Sequence, residues 1–269
     1  MLPRKTVASV VMVEGKGLHS GLPVSVRVHP ATSGVRFLHE GAVLGATPEN
    51  VTETRRCTRL GTVSTVEHLL SALAGLGITD ADVEVTGAEL PGLDGSSLGF
   101  VQAIQLAGTT ECGHLEVDGP FARVFSVEGE TKVSIGLGDG VWRYDFDLEA
   151  MDLGWQHAQV ALTTSSYVSE VAPARTTVFE HELPALLQMG LGQGLQDNGV
   201  VVIRRGGYAN EVRFPDEPAR HKLLDLIGDL SLSGVPCAML RVVAVRSGHM
   251  GNVAAAAKLK SHVKIVRSS

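Results

Sequence analysis

Apolar and polar positions alternate in two periods along the chain. Residues 7–13 and 23–29 are β-branched or alternating, as strands are, and they flank the glycine-rich turn GKGLHSG. The first helical pattern runs over residues 64–76. Ser64 or Thr65 is placed to cap it, with Glu67 three residues after Ser64, and Gly75 and Gly77 close it. A short strand is expected over residues 81–85, and a helix over 96–106 entered through LDGSS.

The order then repeats. Residues 117–135 and 142–148 read as strands, and VALTTSSYV at 160–168 is β-prone. Residues 179–189 read as a helix, 199–203 as a strand, 220–232 as a second strong helix, 238–245 as a strand and 251–260 as a helix. No sequence identity between the halves is visible, so the repeat is structural: two similar α+β domains, 1–114 and 115–269, meeting where GTTECG at 108–113 breaks both patterns. The last few residues are expected to fray.

At 269 residues the chain is long enough for one large or two modest cores. A formal net charge of -6 disfavours a nucleic-acid partner. Three cysteines, Cys57, Cys112 and Cys237, form no C-x-x-C pair and fit a reducing compartment. The apolar stretch near the N-terminus is cut off by Glu14 and lacks a small-residue cleavage site, so a strand is expected there and not a signal peptide. No window reaches the roughly 20 apolar residues of a membrane span. The expected setting is the cytoplasm.

Four segments carry candidate chemistry. RHKLLDLIGDL sets His221 and Asp225 four apart on one helical face, where they could share a metal ion or form an incidental ion pair. Asp229 continues that face and could fix a histidine tautomer. STVEHLLSALAGLG places His68 on an otherwise apolar helix, as a core histidine or as the third ligand of a catalytic metal. Beside a metal, Glu67 is placed to act as general base. RSGHMGN puts His249 in a turn between strand and helix, and PARTTVF offers Thr176 as an oxyanion donor or a helix cap.

Other motifs fail. GKGLHSG is not a dinucleotide fingerprint, and H-E-x-x-H and H-x-x-E-H are absent. The G-x-S-x-G at Gly95, Ser97 and Gly99 follows a turn where a nucleophile elbow needs a strand.

Taken in order, GKGLHSG, STVEHLLSALAGLGI, LDGSS, ARTTVF, QDNGVVV, RHKLLDLIGDL and SGH resemble the UDP-3-O-acyl-N-acetylglucosamine deacetylases of lipid A synthesis over nearly the whole chain. The resemblance implies two α+β domains packed helix to helix as a β-α-α-β sandwich, with the active site between them. It implies Zn2+, or Fe2+ in its place, on His68, His221 and Asp225. Glu67 matches the general base, and His249 the general acid or oxyanion stabiliser. Asp229 matches the residue orienting that histidine, and Thr176 the oxyanion donor. Lys222, Phe179, Thr177 and His19 fall at substrate-binding positions, and an insert near 177–202 would form the acyl passage. The implied substrate is an acylated nucleotide sugar, and a monomer is expected. Two departures stand out. Thr177 replaces a family aromatic, and the loops near 41–47 and 153–157 are short. They leave two rival readings open, a catalytically silent acyl-lipid or nucleotide-sugar binding protein of the same fold and a structural-zinc protein. The second would favour four protein ligands.

Overall fold

The computed structural model describes residues 1–119, 123–195 and 198–268. Part of the strand expected over 117–135, and Gln196 and Asp197 of QDNGVVV, lie outside them. In chain order the N-terminal half holds β1 (Leu2–Val7), β2 (Val11–Lys16), β3 (Pro23–His29), β4 (Val35–His39), β5 (Ala42–Gly45), β6 (Val51–Glu53), β7 (Arg59–Leu60), α1 (Glu67–Gly75), β8 (Ala81–Val85) and α2 (Leu98–Ala107). There follow β9 (Thr109–Asp118), β10 (Arg123–Glu128), β11 (Thr131–Leu137), β12 (Val141–Leu148), β13 (Gly154–Ala161) and α3 (Thr164–Ser166). The chain closes with β14 (Thr177–Phe179), α4 (Leu183–Gln188), β15 (Val201–Arg204), β16 (Gly207–Tyr208), α5 (Glu217–Ser231), β17 (Leu240–Val245), α6 (His249–Lys260) and β18 (Lys264–Ser268).

The expected repeat is present in topology. One five-stranded sheet runs β2-β3-β8-β4-β5 and the other β10-β11-β17-β12-β13. In each, the central strand pairs parallel with the fourth, and every other pair is antiparallel. α1 packs along α5, α2 packs on α1, and α6 packs on α5. The helices thus lie between the sheets in the expected α+β arrangement. A third sheet, β1-β9-β18, joins the two chain ends, and β9 spans the expected boundary at 114/115.

Periodicity explains the burial. Val24, Val26 and Val28 alternate into the first core along β3, and Val242 and Ala244 into the second along β17. α1 and α5 are buried on nearly all sides because each faces both its own sheet and the other half. Their approach depends on Gly228, where an added Cβ would overlap the Glu67 carbonyl.

Four local expectations are corrected. The strand expected over 7–13 breaks after Val7, because Val7 serves the β1-β9-β18 sheet while Val11 serves the sheet of β2. Continuous alternation cannot reveal a change of sheet. Ser64 and Thr65 do not cap α1. Ser64 pairs through its backbone with Ala88 and Leu90, Thr65 is left-handed at φ 62°, and the helix starts at Glu67. The strand in VALTTSSYV ends at Ala161, where Thr163 and Ser166 form a reciprocal capping box and turn the chain into α3. The helix expected over 179–189 shrinks to α4, because residues 177–179 pair with β15 as a strand.

Candidate active site

The N-terminus of α1 delivers Glu67 and His68, and the first turns of α5 deliver His221 and Asp225. Those helices come from opposite halves and pack side by side, which brings His68, His221 and Asp225 together. Their ligand atoms all lie within 4.8 Å of one another, and all three residues are buried. Asp225 Oδ1 lies 3.4 Å from His221 Nε2 and 3.8 Å from His68 Nε2. A tetrahedral ion with bonds near 2.0–2.1 Å separates its ligand atoms by about 3.3 Å, close to these spacings.

The protonation states fit a ligand set. Burial, then neighbouring His221, lowers His68 to about 3. Burial likewise lowers His221, whose Nδ1 lies 3.0 Å from the Ala174 carbonyl. Donation to that carbonyl leaves Nε2 unprotonated and facing Asp225. Burial would raise the Asp225 carboxyl, but His221 and Lys222 outweigh it and hold the group well below the usual carboxylate range. Its two oxygens differ. Oδ2 accepts from Lys222 Nζ at 3.0 Å, while Oδ1 is buried and has no hydrogen-bond partner among the described residues. A buried carboxylate oxygen left unpaired is costly unless a cation completes it. Two neutral imidazoles and this carboxylate therefore fit a divalent ion such as zinc or iron.

A buried acid–base pair stands beside the three. Burial pushes Glu67 up to about 8, against the pull of His249. Burial would lower His249, but the charges of Asp229 and Asp225 and the Asp229 hydrogen bond raise it to about 9. His249 Nε2 faces Glu67 Oε1 at 3.9 Å, and its Nδ1 lies 2.9 Å from Asp229 Oδ2. The α6 N-terminus thus points one ring nitrogen into the site and anchors the other behind it.

These residues open onto a cavity of about 490 Å³, also lined by His19, Thr176, Thr177 and Lys222. Its apolar lining includes Val178, Leu183, Leu186, Leu187, Leu191 and Leu195. Thr176 is held at the wall by its backbone, donating to Gly95 O at 2.7 Å and accepting from Val201 N at 2.8 Å. His19 hangs in the GKGLHSG turn, whose amides at His19 and Ser20 donate to the Glu89 carboxylate, and its buried Nδ1 has no partner among the described residues. Asp229 lies behind His249, not on the cavity wall. Phe179 is not brought to the cavity and stacks on His181 instead.

Several participants carried no sequence signal. Thr58 and Arg56 belong to no quoted motif, and Ser97 of LDGSS and Asn252 of RSGHMGN were given no role, yet Ser97 Oγ donates to the His68 carbonyl at 2.8 Å, Asn252 Nδ2 to Asp229 at 3.0 Å, and Arg56 lines the cavity. The position of Ser97 within LDGSS was the nearest hint.

Neutral imidazoles, an acidic ligand and a paired acid and base in a cavity with leucine-rich lining are suited to metal-assisted hydrolysis of an amphiphile. The comparisons agree with that class. The chain belongs to the UDP-3-O-acyl N-acetylglycosamine deacetylase family, whose model matches residues 4–261. It is 38% identical to a UDP-3-O-acyl-N-acetylglucosamine deacetylase of Anaeromyxobacter sp. (strain Fw109-5), covering 95% of this chain and 88% of that one. Enzymes of the same name from Acidithiobacillus ferrooxidans and Psychrobacter arcticus are 37% and 34% identical, over 93% and 94% of this chain and 86% and 83% of theirs.

Proposed function

We propose that this chain hydrolyses the acetamide of UDP-3-O-acyl-N-acetylglucosamine to acetate and the free amine, a step of lipid A synthesis. One observation carries the reading: Glu67 and His68 from one half meet His221, Asp225 and His249 from the other on the wall of a cavity that is lined in part by leucines. His68, His221 and Asp225 would hold a divalent ion, zinc or iron. When bound, such an ion supplies Lewis acidity for a carbonyl and acidifies a water.

The remaining work falls to the chain's own groups. Glu67 Oε1 takes the proton of the attacking water, and burial raises its basicity for the task. His249 holds a proton on Nε2 toward the site, because Asp229 keeps the other nitrogen occupied. That proton and the Thr176 hydroxyl stabilise negative charge on the former carbonyl oxygen. The leaving amine takes a proton from the Glu67–His249 pair. Lys222 and Thr177 contact the sugar and its substituents, and His19 offers Nδ1 to a polar group of the substrate. The apolar lining takes the 3-O-acyl chain and shields it from water.

The division into units 1–114 and 115–269 and a monomeric state belong to the same reading, since one chain supplies every ligand. Three free cysteines fit a reducing cytoplasm. Among the described residues no helix is long and apolar enough to cross a membrane. Metal analysis together with an acetate-release assay tests the proposal. Metal bound without acetate release would favour a silent binding protein instead.

A further inference from the structure

Thr58 stands between the two proton-handling groups. It is wholly buried in the segment before α1. Its amide donates to Glu67 Oε2 at 3.0 Å, and its carbonyl accepts from Val66 N at 3.2 Å. Its hydroxyl donates to Asp229 Oδ1 at 2.6 Å. The residue therefore grips the base through its backbone and the carboxylate behind the acid through its side chain.

The division of contacts on each carboxylate gives this meaning. Glu67 Oε2 is tied to Thr58, so Oε1 is the oxygen left facing His249. Asp229 Oδ2 accepts from His249 Nδ1 and Asn252 Nδ2. Thr58 is the one donor to Asp229 Oδ1 among the described residues. Without that hydroxyl, Oδ1 would be a buried oxygen with no donor, and the carboxylate would be free to rotate toward another arrangement. The imidazole it aims would move with it.

Resting on the deacetylase reading, we propose that Thr58 is a positioning residue that sets the Glu67 carboxylate and the Asp229–His249 pair in register across the seam between α1 and α5. It neither lines the cavity nor belongs to the His68, His221 and Asp225 cluster. Its effect belongs to the chemical step and not to binding. Misplacing a reacting group by a fraction of an ångström lowers turnover while leaving the substrate pocket intact.

The experiment compares Thr58→Val, which keeps the shape and the backbone contacts but removes the hydroxyl, with Thr58→Ser, which keeps the donor. In the metal-loaded enzyme, Thr58→Val is expected to lower kcat by about 10- to 100-fold with KM within about twofold of wild type. Thr58→Ser should recover most of the loss, and metal per chain should match wild type in both. Proton NMR in water supplies a readout besides activity. The hydrogen-bonded Nδ1 proton of His249 should be protected in wild type and Thr58→Ser and exchange faster in Thr58→Val. If Thr58→Val does not fold, Thr58→Ala takes its place with the same expectations. Wild-type kcat in the valine variant, a defect carried by KM, or an equal loss in the serine variant overturns the inference. Absence of acetate release from the wild-type chain itself would instead count against the deacetylase reading, so the two failures are distinguishable.

Discussion

His249 Nδ1 lies 2.9 Å from Asp229 Oδ2, joining the first turn of α6 to the last turn of α5, and both side chains are buried. Burial acts to lower the imidazole, and Asp229 is the leading influence that raises it to about 9. Asp229→Asn removes the charge and lets burial prevail, so the pKa falls. The imidazolium is the working form, and it is lost as pH rises through that pKa. The basic limb of the kcat/KM profile therefore moves to lower pH in the variant. A limb that stays in place would remove Asp229 from this role.

Glu67→Gln should cut turnover by about 10²- to 10⁴-fold, the ordinary weight of a general base. Thermal denaturation should show no loss of stability at neutral pH. Glu67 is raised to about 8 because burial penalises its charge, and the amide carries no charge to bury. Undiminished acetate release from this variant would refute the assignment.

Chelation should abolish activity and lower the melting temperature, and added zinc should restore both. An ion at 100 times its Kd adds about 2.7 kcal/mol to stability. His68→Ala leaves a two-ligand site and should bind metal more weakly, as equilibrium dialysis would show. Unchanged metal content would exclude His68 as a ligand.

Gly228→Ala tests the helix seam. The new Cβ would overlap the Glu67 carbonyl, so α1 and α5 must part. Overpacking of this kind costs about 1–3 kcal/mol. Urea denaturation measures it, and activity should fall further than stability because the ligands sit on both helices.

Leu186→Glu places a charge in the apolar wall of the cavity. The KM for a long-chain substrate should rise by about tenfold or more, with a smaller effect on a substrate lacking the chain. Equal effects on both substrates would place the acyl chain elsewhere.

Much of the site was visible in residue types alone. The i, i+4 spacing of His221 and Asp225 survives in α5, and Gly77, at φ 72°, follows the end of α1 as expected, with Gly75 as the helix's last residue. Local cues failed where a distant partner claimed the backbone. Thr65 is left-handed and Val66 stands at the start of α1 because the preceding chain pairs with Ala88, Leu90 and Thr58. Thr58 was invisible for the same reason, since its value lies in a hydrogen bond to Asp229 on the opposite half of the chain.

Most elements and the candidate donors were legible along the chain, because hydrophobic period and side-chain chemistry are properties of neighbouring residues. The resemblance had already matched His68 to the pair on α5 and Asp229 to His249; the tertiary structure shows these side chains adjacent and leaves Phe179 off the cavity lining. The physical reason is packing. Whether a polar group is desolvated, and which charge stands beside it, depends on two helices from opposite halves approaching closely enough to share one buried site.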